Sequence, residues 1–335
     1  MTRDSKQKAL GRRTQDAGLR TPLKVGQKAT LKFRSFNLAG AGVAAHGPQT
    51  VAVPFALPGE EAVVEITAAT GQHAQGRIVA LLRKSAGVVV PRCRHFGRCG
   101  GCQWQHLPYE AQLAAKTRLV RDTLAAAIPG GPVVQEAVGG DPWQYRSRLQ
   151  AALAIRRDRM VGGFYGVGDE VVINIQECPI QHPANVRLLL HSRDVIAELG
   201  WPVYDRATGR GLLRGIIAQT GFATGESMLI LCATGDLPDR MAFVRAATER
   251  LPELRSVLLS VRPPTTAELL GRIELLWGRP YITDVLGGVR VGLYGSPSIP
   301  PNPGAFGMYL AAVRRAVGPA QSAIDVACDE GLVPV

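Results

Sequence analysis

Residues 91–106 read Pro91-Arg92-Cys93-Arg94-His95-Phe96-Gly97-Arg98-Cys99-Gly100-Gly101-Cys102-Gln103-Trp104-Gln105-His106. Cys93, Cys99 and Cys102 put three thiols on one short loop. Gly100 and Gly101 carry no Cβ, so the backbone there can turn tightly and approach a bulky inorganic centre. Arg92, Arg94 and Arg98 flank the thiols and would favour their ionised form. A fourth ligand must come from elsewhere. Cys178 qualifies, in Glu177-Cys178-Pro179, because proline after a cluster cysteine recurs in ferredoxin-like sites. Spacing alone leaves the metal open. Either His95 or His106 would complete a Cys3His zinc site, and an iron–sulfur centre fits the thiols equally well.

Upstream of this loop, residues 22–84 alternate short β-branched runs with turn signals. Ala29–Phe33, Thr50–Val53, Ala62–Thr67 and Gly76–Leu82 read as strands, punctuated by Gly40-Ala41-Gly42, His46-Gly47-Pro48, Pro58-Gly59 and Gly71. Several short strands in so brief a stretch predict a small barrel of the OB type, a common binder of oligonucleotides. Downstream, Pro108 suits the first turn of a helix that places Leu113, Thr117, Val120 and Leu124 on one face and ends at Gly130-Gly131-Pro132. Beyond Val133 the pattern is mixed. Leu149–Ile155, Glu170–Ile175, Gly215–Gln219, Met228–Ala233 and Ser256–Val261 read as strands; Asn185–Leu199, Asp239–Leu251 and Gly304–Val317 read as helices. Ser322–Ala327 reads as a buried strand opening into Cys328-Asp329-Glu330-Gly331, like the first unit of a nucleotide-binding α/β sheet.

Lys and Arg outnumber Asp and Glu by 39 to 27, a net charge of +12. That excess points to a polyanionic partner, nucleic acid first. Of that charge +8 falls between Met1 and Arg34, and the basic tail over residues 1–21 is expected to be disordered and to aid binding through counterion release. No apolar run reaches the ~18–20 residues of a membrane helix, and the N-terminus lacks the apolar core of a secretory signal. Six cysteines in 335 residues form no disulfide framework; a reducing cytoplasm with thiolates reserved for metal is expected.

The stretch Cys93-x5-Cys99-Gly-Gly-Cys102-Gln-Trp-Gln-His106-Leu-x-Tyr109-x-x-Gln112-Leu-x-x-Lys116 resembles the cluster segment of the bacterial 5-methyluridine RNA methyltransferases, the 23S rRNA uracil-5 enzymes that carry a [4Fe–4S] cluster. Gly40-Ala-Gly42-Val43-Ala44 and Val53-Pro-Phe-Ala-Leu-Pro58-Gly59-Glu60 are similar to that family's TRAM domain, an OB-like RNA-binding barrel. Trp143-Gln-Tyr145-Arg146, Gly163-Phe164-Tyr165 and Cys178-Pro-Ile-Gln181 follow its central domain in order. The resemblance covers Lys24 to Leu190 well and the rest weakly. It implies an iron–sulfur cluster with ligands Cys93, Cys99, Cys102 and Cys178.

The family chemistry adds a cysteine thiolate to uracil C6, so that C5 attacks the methyl of S-adenosylmethionine before a base removes the C5 proton. The target base must leave any stack first. Asp325-Val-Ala-Cys328-Asp329-Glu330-Gly331 aligns with the family's first cofactor loop, with Asp325 and Gly331 as the retained cofactor-binding positions and Asp329 where a glycine is expected. Met308 and Leu310 stand where the resemblance would place Gln and Asn. No catalytic residue is assigned: Cys232 reads as a buried small hydrophobe, and Cys328 aligns with the cofactor loop and not with the nucleophile. His46, His73, His182 and His191 read as loop or surface residues. Trp104, Trp143 and Tyr165 read as core or, if exposed, as stacking platforms for bases.

The expectation is therefore a multidomain α+β chain: the basic tail, a TRAM barrel over 22–84, a mixed α/β iron–sulfur domain over 85–290, and only the beginning of a Rossmann-like methyltransferase domain over 291–335. Residues from about Leu293 onward should be poorly packed or lean on the central domain. As a function, the resemblance implies an RNA (uracil-C5) methyltransferase acting on ribosomal RNA, with this chain binding RNA but lacking the catalytic half. The alternatives are an active enzyme once the missing domain is restored, and a zinc-stabilised RNA-binding module.

Overall fold

The structure, a computed structural model, describes residues 21–263, 269–295, 300–319, 321–322 and 324–326. The basic tail and the residues Cys328, Asp329, Glu330 and Gly331 lie outside the described residues. Two compact units form: one from Met1–Val90 with Gln103–Ala137, the other from Pro91–Cys102 with Val138–Val335.

The first unit is built on a closed five-stranded barrel. Its strands are β1 (Lys28–Phe36), β2 (Gly42–His46), β3 (Gln49–Val53), β4 (Glu61–Thr70) and β5 (His73–Arg83), in the order β1-β2-β3-β5-β4. The β3–β5 pair is parallel and the other pairs are antiparallel. Alternation along the strands turns Leu31, Phe33, Ala44, Val51, Val53, Val64 and Ile66 into one buried core. The expected OB-like barrel is present. Its second strand was not expected, because Gly42-Val-Ala-Ala-His has weak strand chemistry. Gly42 is required there: a Cβ would meet the Ala56 carbonyl.

Helix α1 (Tyr109–Ala127) belongs to this unit, where a boundary near residue 84 would have assigned it to the central domain. The reason lies just before it. Trp104 Nε1 donates to the Gly40 carbonyl at 2.7 Å, its ring packs on Phe36, and His106 Nε2 lies 2.8 Å from the Phe55 carbonyl. Gln112 then donates to the Trp104 and Leu107 carbonyls, tying the first helical turn to that segment. Of the expected apolar face only Thr117 is buried, bonded through its hydroxyl to the Ala137 amide; Val120 is half exposed.

The second unit is a seven-stranded mixed sheet ordered β12-β11-β10-β9-β6-β7-β8. The strands are β6 (Arg148–Arg156), β7 (Arg159–Tyr165), β8 (Val172–Asn174), β9 (Leu213–Thr220), β10 (Ser227–Ala233), β11 (Leu254–Val261) and β12 (Arg272–Gly278). β10 and β11 run parallel, linked through helix α3 (Arg240–Arg250). Helices α2 (Pro183–Glu198) and α3 cover one face, where Leu149, Leu188, Ile216, Leu229, Phe243 and Leu259 share a core. On the opposite face the hairpin β13 (Ile282–Leu286) and β14 (Val289–Leu293) covers Ile217, Met228, Ile230, Cys232 and Leu258. The hairpin reaches no further than this: Ala152, Ala154, Val161 and Val172 form a separate small cluster on β6–β8.

Two carboxylates pin that hairpin. Buried Asp284 accepts from the Phe222 and Ala223 amides at 3.0 and 2.8 Å. Glu226 accepts from the Thr283 amide and hydroxyl and pairs with Arg279 at 2.7 Å.

Helix α4 (Pro303–Val317) leans on the hairpin as expected, through Leu310 and Phe306. The buried strand expected at Ser322–Ala327 is not found in its described part. Ile324 and Val326 are more than nine-tenths exposed, and no described strand pairs with them. A strand needs a neighbour to take up its backbone donors and acceptors, so the described part of this segment does not form the expected first strand of a Rossmann-like sheet. Among the described residues no helix is long and apolar enough to cross a membrane.

Candidate metal centre and its surroundings

The cysteine loop is fixed to the second unit by backbone hydrogen bonds. Gly100 N donates to the Tyr165 carbonyl at 2.9 Å, Val167 N donates to the Arg98 carbonyl, and Cys99 forms an isolated bridge with Gly166. A Cβ on Gly100 would come within 3.1 Å of that Tyr165 carbonyl, which is why the loop needs glycine there. Cys178 arrives from a turn after β8. Gln181 N bonds the Cys178 carbonyl, and Arg146 bridges to Gln181 just before β6. Ile180 and Gln181 also aim backbone N–H groups at the Cys178 sulfur.

Backbone donors serve the loop sulfurs as well. His95 N points at Cys93 Sγ and Gly101 N at Cys99 Sγ, each at 3.4 Å. Cys93, Cys99, Cys102 and Cys178 are all partly buried and form no disulfide. They lie within electrostatic reach of one another: Cys178 feels Cys102 and Cys93, and Cys99 feels Cys93. Among the described residues, however, no three His, Cys, Asp or Glu side chains are drawn into a closed metal-binding group. The four sulfurs share a neighbourhood and not a finished coordination shell.

Burial dominates the thiol chemistry. It pushes Cys178 up to about 11 and raises Cys99, against the lowering effect of the backbone donors. The expectation that the flanking arginines hold the thiols ionised is corrected. Arg94 is engaged by Glu177 at 2.7 Å, and Arg92 lies over the Trp143 ring. Left alone the Cys99 and Cys178 thiols stay protonated, and a bound cation would be what ionises them. Sulfurs served by backbone N–H groups, with no carboxylate among them, suit a thiolate-ligated metal. Burial also lowers His95, assisted by Arg94, and its Nε2 is buried with no hydrogen-bond partner.

The other expected site residues separate clearly. Cys232 is fully buried and pushed up to about 12 by burial, so it is not the thiolate that attack on uracil C6 requires. Asp325 is partly buried between exposed Ile324 and Val326, and the rest of its expected loop lies outside the described residues. Gly331 lies outside the described residues. Trp104 packs against the barrel, while Trp143 carries Arg92 over its ring. His182 and His191 are not loop residues: His182 caps α2 by accepting from the Ala184 amide, and His191 lies within that helix. Tyr165 is 39% exposed, with the Arg206 guanidinium 5.5 Å from its ring centre.

Comparison with known proteins gives three results. Residues 22–79 match the TRAM domain. Uncharacterized RNA methyltransferases of Halalkalibacterium halodurans and Bacillus cereus are each 32% identical to the chain, over 76% and 81% of it. The chain spans only 56% and 60% of the length of those two relatives. A second uncharacterized RNA methyltransferase of Halalkalibacterium halodurans is 30% identical over 93% of the chain and 69% of its own length. The fold is similar to that of Pyrococcus abyssi tRNA (uracil-54, C5)-methyltransferase, solved with S-adenosyl-L-homocysteine. That likeness has a TM-score of 0.66 at 23% identity and covers 85% of this chain and 64% of the other. The barrel, the mixed sheet and the relative matched over two thirds of its length agree, and the chain belongs to the RNA methyltransferase family.

Proposed function

We propose that the chain is the RNA-gripping, iron–sulfur part of an RNA (uracil-C5) methyltransferase that works on ribosomal RNA in a reducing cytoplasm. Cys93, Cys99, Cys102 and Cys178 would hold a [4Fe–4S] cluster. The observation that carries this reading is a set of four partly buried sulfurs in one neighbourhood, three of them served by backbone donors, in a chain that also folds a TRAM barrel. A methyl transfer to uracil consumes no electron, so these thiolates act by fixing the loop to the Tyr165 strand and not by passing charge. S-adenosylmethionine, when bound, supplies the methyl group. Asp325 would be its retained contact; the rest of the expected cofactor loop lies outside the described residues, so no step is derived through it.

Anaerobic purification should give a brown protein containing iron and acid-labile sulfide. One observation favours a second reading: the unpartnered His95 Nε2 would complete a zinc site with the three loop cysteines. A colourless protein containing zinc would establish that reading in place of the cluster. The purified chain should bind ribosomal RNA with an affinity that falls steeply with salt, and should transfer no label from S-adenosylmethionine. Label transfer to uridine C5 by this chain alone would replace the RNA-gripping role with that of an active enzyme.

A further inference from the structure

The opposite face of the seven-stranded sheet is only half covered. Where the β13–β14 hairpin stops, an open basin of about 610 Å³ lies over β6, β7 and β8. Its floor is made of small side chains, Ala152 and Ala154, with Gly163 beside them; Val172 and Tyr165 form a wall. These residues share one face by register, since Ala152 pairs with Gly163 and Tyr165 with Val172. Val161, paired with Ala154, continues this apolar face, and Gln150 adds a polar side chain to the lining. Tyr165 stands at its rim with one ring face under Arg206, and the buried Arg214 lies at the back.

The charge around the basin is arginine-rich. The β6–β7 turn presents Arg156, Arg157 and Arg159, all exposed, and Arg206 and Arg210 sit on the facing loop. Glu170 and Asp205 also line the opening, and Glu170 pairs with Arg206 at 3.3 Å on the exposed surface. A surface pair of this kind is weak and gives way to a phosphate. Small side chains along β6 and β7, one exposed aromatic ring and a fringe of guanidinium groups are what an unpaired nucleotide needs: stacking for the base and cations for the backbone.

We infer that this basin binds a single unpaired nucleotide of an RNA strand, its base against Tyr165 and the apolar floor and its phosphates among Arg206 and the β6–β7 turn. The inference rests on the RNA-binding reading above and gives it an address outside the barrel. It also gives the cysteine loop a task. The loop is hydrogen-bonded to the backbone of Tyr165 and bridged to Gly166, so it holds the aromatic wall at the end of β7.

The test uses the full chain and a short fluorescein-labelled oligouridylate, with affinity read by anisotropy. Two variants act on the basin by different routes: Tyr165→Leu removes the ring, and Ala154→Trp fills the floor. Each should weaken binding about tenfold, the scale of one stacked base, with metal content and melting temperature unchanged. A 5-iodouridine version of the same strand should cross-link to Tyr165 in the parent protein. Parent-level affinity in both variants, with cross-links elsewhere, would overturn the basin and leave the RNA reading intact. Failure of the parent chain to bind either the oligouridylate or ribosomal RNA would remove the RNA reading itself. An apolar peptide that binds the basin while RNA does not compete for it would assign the surface to a protein partner and also overturn the inference.

Discussion

Replacing Asp284 by alanine should release the β13–β14 hairpin while the sheet beneath it stays folded. The carboxylate is fully buried and accepts two backbone amides, from Phe222 and Ala223, in the turn between β9 and β10. A hydrogen bond to a charged acceptor contributes about 1.5–3 kcal/mol. The lower value applies here, because both amides are only partly buried and regain water once the hairpin lifts. Two such bonds give a loss of about 3 kcal/mol, or roughly a hundredfold in the local opening equilibrium. Native-state hydrogen exchange reads this directly. Peptides covering residues 282–293 should exchange about a hundredfold faster, while peptides from β10 and β11 keep their protection. Asp284→Asn, which retains one acceptor oxygen, should fall between. Unchanged exchange in the hairpin would refute the reasoning, as would an equal acceleration in β10, since the bonds would then be holding the whole unit.

Three further outcomes follow from the same geometry. Cys178→Ser should reduce bound metal to background and speed proteolysis of the 91–102 loop; intact metal content would show that this distant sulfur is not a ligand. Burial raises the Glu226 carboxyl, but the Arg279 pair and the two bonds from Thr283 outweigh it and hold it below the usual carboxylate range. Its contribution is therefore present above the unfolded value of ~4.3 and is lost as pH falls through the lower folded value. Denaturant titrations should find Glu226→Gln less stable than the parent at neutral pH, with the gap closing on acidification; a gap independent of pH would refute it. Phe243, buried and stacked on Trp201 at 5.6 Å, should cost about 3–5 kcal/mol when cut to alanine. That loss would be visible as a fall in Tm of roughly 10 °C.

Legibility in the sequence followed the strength of local patterning. Four of the five barrel strands could be read because β-branched residues alternate between turn signals. β2 was missed because its residues are small, and only the approach of Ala56 explains why Gly42 belongs in a strand. The helices α2, α3 and α4 were legible within a few residues. The β12, β13 and β14 strands were not, since Arg272-Ile-Glu-Leu-Leu-Trp is half exposed and its pattern is that of a lightly covered surface. At Ser322–Ala327 an apolar run suggested a strand, but without a neighbour it stays exposed. The three loop cysteines announced themselves by spacing, whereas Cys178 was singled out by Cys-Pro and by family likeness. What spacing could not foresee was burial, which raises the Cys99 and Cys178 thiols despite three nearby arginines. The basin was illegible for a different reason: its walls come from separate strands and a distant loop.

The two units handle one hazard differently. Because the barrel closes on itself, each of its strands has a neighbour on both sides, although the β3–β5 contact is only three residues long. Among the described residues the seven-stranded sheet is open at both ends. At β8 the exposed row is only three residues long, too short to template amyloid-like growth. β12 is longer and apolar at Ile273, Leu275 and Trp277, so it is the flank where Arg272 and Glu274 must act as gatekeepers against aggregation.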